Sequence, residues 1–171
     1  MKADLFWIPG PWRGRLSIVG RPRGGDWLDD EARAWRRAGI DVVVSLLEDD
    51  EAAQLGLTDE RQAAEGQAVR FVSFPIPDRG VPASTEAAIE VIGGIAAEIR
   101  AGKNVAVHCR QGVGRSGLIA AGVLVNSGLR AAQAMETVSS ARGISVPETP
   151  EQRRWIEELP SRVPVTNESR I

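Results

Sequence analysis

The segment His108-Cys109-Arg110-Gln111-Gly112-Val113-Gly114-Arg115-Ser116-Gly117 sets the chain's only cysteine five residues ahead of an arginine, inside a glycine-rich stretch. Those types at that spacing fit nucleophilic chemistry on a phosphoryl group. An ordinary thiol, with a pKa of about 8.5, is only a few per cent ionised at neutral pH, but a helix N-terminus and a nearby guanidinium can lower that value by several units. Cys109 would then stand mostly as thiolate. Arg115, returning to the loop, offers a planar fork that can grip two phosphoryl oxygens, a geometry lysine lacks. Gly112, Gly114 and Gly117 let backbone N–H groups come close to an anion, so the peptide groups from Arg110 through Arg115, with Gln111 and Val113 between, are read as the phosphate cradle. Ser116 can donate a hydrogen bond to the sulfur, and His108 is read as orienting the loop rather than as a base.

Such a loop needs a strand to deliver it and a helix to receive it. Asn104 to Val107 reads as a short buried strand, and Ser116 to Val125 as an apolar helix, so the loop wraps at a helix N-terminus whose free N–H groups point at the anion. The pattern resembles the signature loop of the cysteine-dependent protein phosphatases, in particular the small dual-specificity branch: its His-Cys-x5-Arg-Ser/Thr motif is matched at His108, Cys109, Arg115 and Ser116.

The resemblance makes further residues readable. Phe74-Pro75-Ile76-Pro77-Asp78-Arg79-Gly80-Val81-Pro82 resembles the family's mobile general-acid loop, with Asp78 as the acid that protonates a poor leaving group; read alone, Asp78 before Gly80 is an ordinary turn residue. Gln152, in Pro147-Glu148-Thr149-Pro150-Glu151-Gln152, matches the place where some members position the hydrolytic water, or is simply an exposed helix residue. Glu48 and Asp49 resemble the acidic turn near the active site of related enzymes. The resemblance implies a phosphomonoester hydrolase, a dual-specificity or tyrosine protein phosphatase working through a cysteinyl-phosphate without any cofactor, on a phosphorylated protein or a small phosphomonoester. Phosphoinositide or RNA 5′-phosphate hydrolysis, and a catalytically weak phosphate-binding module, are the alternatives. Rhodanese-like sulfur carriers and arsenate reductases share Cys-x5-Arg, but the former need no acid such as Asp78 and the latter need further cysteines.

Composition narrows the classes further. The 171 residues carry a formal net charge of −2, which gives no global pull toward nucleic acid or an anionic membrane. One cysteine and one histidine exclude an internal disulfide and supply no zinc or iron–sulfur ligand set. Asp4 and Pro9 interrupt the opening residues before a signal-peptide core could form, and no apolar run of about 18 residues exists; a cytoplasmic protein without a membrane anchor is expected. The absence of tyrosine departs from the tyrosine-specific branch, whose recognition loop bears one, and favours a shallow, permissive site.

The element pattern predicts strands at Leu5 to Ile8 and Arg15 to Val19 forming an antiparallel edge, a helix over Leu28 to Ala38 stopped by Gly39, and strands at Val42 to Leu47 and Val69 to Phe74. Helices are expected over Thr58 to Glu65, Ser84 to Ala101, 116 to 127, 129 to 141 and 150 to 159. Gly93-Gly94, mid-helix, would each cost roughly 1 kcal/mol relative to alanine, which suggests close packing there. Alternating strands and helices predict an α/β fold with a central, mostly parallel sheet flanked by helices and the signature loop between a strand and a helix. One domain is expected over 1–160, followed by a polar, flexible tail over 161–171. The five tryptophans are read as packing residues.

Overall fold

A computed structural model describes residues 1–163. Its elements are β1 (Leu5–Ile8), β2 (Arg15–Val19), α1 (Leu28–Arg37), β3 (Val42–Ser45), α2 (Asp49–Gln54), α3 (Glu60–Gly66), β4 (Arg70–Ser73), α4 (Thr85–Arg100), β5 (Asn104–His108), α5 (Gly114–Asn126), α6 (Ala131–Arg142) and α7 (Pro150–Glu158). The five strands lie in the order β1-β2-β5-β3-β4. β1 pairs antiparallel with β2, and the other pairings are parallel. The expected mixed sheet with its antiparallel edge is therefore present.

The side-chain period of two along a strand divides the sheet between two apolar layers. Val105 and Val107 of β5, Val42 and Val44 of β3, and Leu16 and Ile18 of β2 face the larger layer. That layer also holds the buried apolar residues of α4, α5, α6 and α7. Ala106 and Val43 face the smaller layer, with Trp35 and Ala32 of α1 and Ala63 and Ala64 of α3. β5 sits between two parallel neighbours, so its run from Val105 to His108 is buried throughout, as the interior of a parallel sheet requires.

α5 explains the rigidity of what precedes it. Every residue from Gly114 to Val125 is buried, and a helix apolar all round must be enclosed on all sides. α4, α6, α7 and the sheet enclose it. The close approach that makes this possible is at Gly122, where a Cβ would sit 2.6 Å from Ile92 Cδ1 of α4. The packing glycine thus lies on α5. At Gly93 and Gly94, where the sequence suggests close packing, an added Cβ would meet nothing within 4 Å.

Other departures are local. The element pattern read from the sequence omits α2, because its six residues are too few to show a helical period. Of the expected tail 161–171, Ser161 ends a 3-10 turn begun at Leu159 and Val163 packs on the larger core; 164–171 lie outside the described residues. Trp35 is a core residue, Trp12 donates its indole N–H to Ser127 Oγ at 3.0 Å, and Trp27 is half exposed beneath the Arg23 guanidinium. Among the described residues, no helix is long and apolar enough to cross a membrane.

Candidate active site

Ligand sites in parallel α/β sheets form beyond the carboxyl ends of the strands. Here three adjacent parallel strands each deliver one part of a cluster. The segment after β3 brings Leu46 and Glu51, the segment after β4 brings Ile76 and Asp78, and the loop after β5 brings Cys109 to Arg115. A polar pocket of about 120 Å³ is lined by Asp78, Arg79, Cys109, Arg110, Gln111, Gly114, Arg115 and Glu148. A larger cleft of about 490 Å³, beside Lys2, Trp7, Arg15 and Arg37, lies away from Cys109 and Arg115.

Cys109 is 3% exposed at the pocket floor. Burial pushes its thiol up, yet the thiol is lowered on balance by the Ser116 hydroxyl and by backbone N–H groups of Ser116, Gln111 and Gly112. The Gly112 N–H donates to Sγ at 3.3 Å, from a residue with φ of +67°, a left-handed conformation that glycine adopts without strain. The Ser116 hydroxyl is fully buried and makes no hydrogen bond of ordinary geometry among the described residues. Its proton is therefore uncommitted beside the sulfur, where it favours the charged form.

Arg115 is 2% exposed, and a buried cation must be paired. Its Nη1 donates to Glu51 Oε2 at 2.7 Å and to the Ile76 carbonyl at 2.9 Å, while Nη2 donates to Glu51 Oε1 at 2.9 Å and to Asp78 Oδ1 at 3.0 Å. The fork expected to grip phosphate is thus held on one edge by Glu51. Arg115 also lines the pocket, where Asp78 occupies one of its Nη2 donors. Burial pulls the guanidinium down, but Glu51, the Cys109 thiolate and Asp78 raise it, so it stays charged. Glu51 is lowered below the ordinary carboxylate value, chiefly by its hydrogen bond from Arg115.

Glu51 is the residue that sequence reasoning misses. Glu48 and Asp49, three and two positions earlier, are the ones it picks out instead. Glu48 is the N-cap of α2, donating its own N–H to Glu51 Oε2 at 3.0 Å, and Asp49 is exposed in the first turn. Neither touches the cysteine or the arginine. The reciprocal capping box between Glu48 and Glu51 is the available signal: an acidic pair three apart marks a helix start, and a helix starting at Asp49 turns Glu51 inward.

The remaining residues support the loop from outside. His108 is completely buried, with Nε2 2.5 Å from Glu60 Oε1 and Nδ1 3.3 Å from the Cys109 carbonyl. Burial lowers the imidazole, but Glu60 outweighs that and raises it on balance, and the ring bridges Glu60 on one side and the Cys109 backbone on the other. This is an orienting position. Arg142, at the end of α6, donates to the carbonyls of Gly112 at 2.8 Å and Gln111 at 3.3 Å, and its guanidinium lies over the Phe6 ring at 4.1 Å. With those carbonyls turned outward, the N–H side of the loop faces the sulfur. Gln152 is buried rather than exposed, and its side chain hydrogen-bonds only to backbone groups. Asp78 and Arg110 are exposed at the pocket mouth.

The fold is shared with solved phosphatases. Tk-PTP in its active form is 32% identical, aligning over 94% of this chain and 98% of its own, with a TM-score of 0.76. Kinase-associated phosphatase, carrying serine in place of its catalytic-site cysteine, aligns over 100% of this chain and 99% of its own at a TM-score of 0.87 and 15% identity. Human DUSP28 aligns over 91% of this chain and 94% of its own at a TM-score of 0.63 and 22% identity. No curated protein matches the sequence. The family model described as "Polymorphic toxin system, DSP-PTPase phosphatase" matches residues 18–129, which span the chain from the end of β2 through α5 and include the whole signature loop; the chain belongs to this family of cysteine-based phosphatases.

Proposed function

We propose that the chain is a dual-specificity or tyrosine protein phosphatase in which Cys109 is the nucleophile and Asp78 the general acid. The observation that carries the reading is the convergence on one small pocket of a lowered thiol, a buried arginine and a carboxylate bonded to that arginine. The Cys109 thiolate attacks phosphorus in line, forming the S–P bond as the P–O bond to the leaving group breaks, and Asp78 gives its proton to the departing oxygen. Water then attacks the cysteinyl-phosphate, Asp78 takes its proton, and the thiolate leaves with Ser116 as hydrogen-bond donor. Arg115 and the N–H groups of residues 110–115 hold the equatorial oxygens.

The bond from Arg115 to Asp78 gives this sequence an order. An arriving phosphate takes the Nη2 donor that Asp78 otherwise holds. The released carboxyl group is then free to turn toward the leaving oxygen. Electrostatic stabilisation by Arg115 and backbone dipoles is the work that a metal does in other phosphatases.

The polar pocket and the absence of tyrosine from the chain support a permissive site for phosphorylated side chains. Comparing kcat/KM for phosphotyrosine, phosphoserine and phosphothreonine peptides, phosphoinositides and 5′-phosphorylated RNA tests this. Phosphopeptides are expected to lead; a lipid or RNA substrate turned over more efficiently than every peptide would overturn the protein-phosphatase reading and leave the hydrolase reading intact.

A further inference from the structure

We propose that Gln152 is a positioning residue for the general acid, latching the Asp78 turn in place, rather than a holder of the hydrolytic water. The proposal rests on the reading of Asp78 as the acid. Gln152 is fully buried, and every partner of its side chain is a backbone group. Oε1 accepts from the N–H groups of Glu148 at 3.1 Å and Thr149 at 3.2 Å, and Nε2 donates to the Gly80 carbonyl at 2.9 Å. Two N–H donors on one side and a carbonyl on the other fix which end of the amide is oxygen. One amide therefore joins the start of α7 to the loop that carries Asp78.

The place it grips is the one that aims the acid. The Gly80 N–H donates to the Pro77 carbonyl at 2.8 Å, closing a tight turn with Asp78 and Arg79 at its centre. Arg79 has φ of +59°, a left-handed conformation that a residue with a long side chain holds only when its surroundings impose it. Three consecutive residues of the turn are tied to other elements: Asp78 to Arg115 at 3.0 Å, Arg79 to Glu148 at 2.8 Å, and Gly80 to Gln152. The Arg79–Glu148 pair is largely solvated and contributes little. The Gln152 bond is buried, and its loss leaves the amide and the Gly80 carbonyl without partners. The signature loop admits this latch through Gly114, where a Cβ would stand 2.9 Å from Gln152 Oε1.

The test variant is Gln152→Glu. A carboxylate still accepts from Glu148 and Thr149 at the start of α7, so the helix cap is retained, but it has no donor for Gly80. Gln152→Met, which has no donor and only a weak acceptor, is the second variant, and both are assayed at a temperature where their circular dichroism matches wild type. The readout is kcat/KM across aryl and alkyl phosphates of rising leaving-group pKa, because kcat/KM reports only steps through cleavage of the P–O bond. The latch predicts little change for a nitrophenyl ester and a loss growing to about tenfold or more for alkyl esters, part of the 10²- to 10⁴-fold that a positioned acid supplies. It also predicts that Gln152→Glu adds nothing to Asp78→Asn. A uniform loss at every leaving group, or an unchanged kcat/KM with a lowered kcat and a burst of product, would overturn it, the latter being the signature of a water-positioning residue. If Asp78→Asn itself shows no leaving-group dependence, the reading of Asp78 fails instead.

Discussion

Two carboxylates meet Arg115, and their surroundings assign them different work. Glu51 is nearly buried and paired on both oxygens, so it serves as a permanent counter-ion, whereas Asp78 is exposed and bonded once, so it is free to leave that bond and turn to a substrate. Asp78→Asn should slow alkyl and phenyl esters by roughly 10²- to 10⁴-fold and nitrophenyl esters far less, with the alkaline limb of the kcat/KM profile flattened. Equal loss for all substrates with both limbs intact would make Asp78 a turn residue. Glu51→Ala should instead destabilise the fold by about 3 kcal/mol or more, because removing one partner strands a buried charge; urea denaturation measures it, and a change under about 1 kcal/mol would contradict the counter-ion role. Cys109, Arg115 and Ser116 are legible in the sequence because their spacing is local. Glu51, Glu60 and Arg142 are not, since each reaches the loop from about 30 or more positions away and no pattern in a single sequence joins residues across a sheet.

Elements position these residues through packing that the sequence indicates only in part. Strands and long helices are legible from their periodicity, and the order of α5 after β5 follows from the glycine-rich loop between them. The pairing of Gly122 with Ile92 is hidden, because a glycine in a helix signals close approach without naming its partner. Gly93 and Gly94 show the converse, as neither has a neighbour that would meet a Cβ. Gly94 is exposed in the middle of α4, so Gly94→Ala should raise stability by about 1 kcal/mol through helix propensity alone. Gly122→Ala, by contrast, should lower it through the contact with Ile92. Thermal melting of the two variants compares them, and the opposite order would refute the assignment of α5 as the side that needs a glycine.

For the molecule as a whole, two buried groups of opposite sense link stability to pH. His108 is raised above its ordinary 6.5 by Glu60, so its contribution is complete below that value and is lost as pH rises through the folded pKa. Cys109 is lowered, so its contribution grows over the range where the folded thiol is ionised and the unfolded one is not, and is lost as pH falls. The two oppose each other on the neutral to alkaline side. Cys109→Ser should therefore reveal a melting temperature that falls as pH rises above the ordinary histidine value of 6.5, and Cys109→Ser/Glu60→Gln should reduce that fall; a double variant with the same slope would contradict the His108–Glu60 linkage. The same Cys109→Ser protein carries the most direct measurement of the central claim. A serine hydroxyl in this cradle is scarcely ionised at neutral pH, so turnover of an aryl phosphate should be abolished while binding of inorganic phosphate, measured by calorimetry, is retained. Hydrolysis at near the wild-type rate by Cys109→Ser would show that the bond to phosphorus is made by some other group.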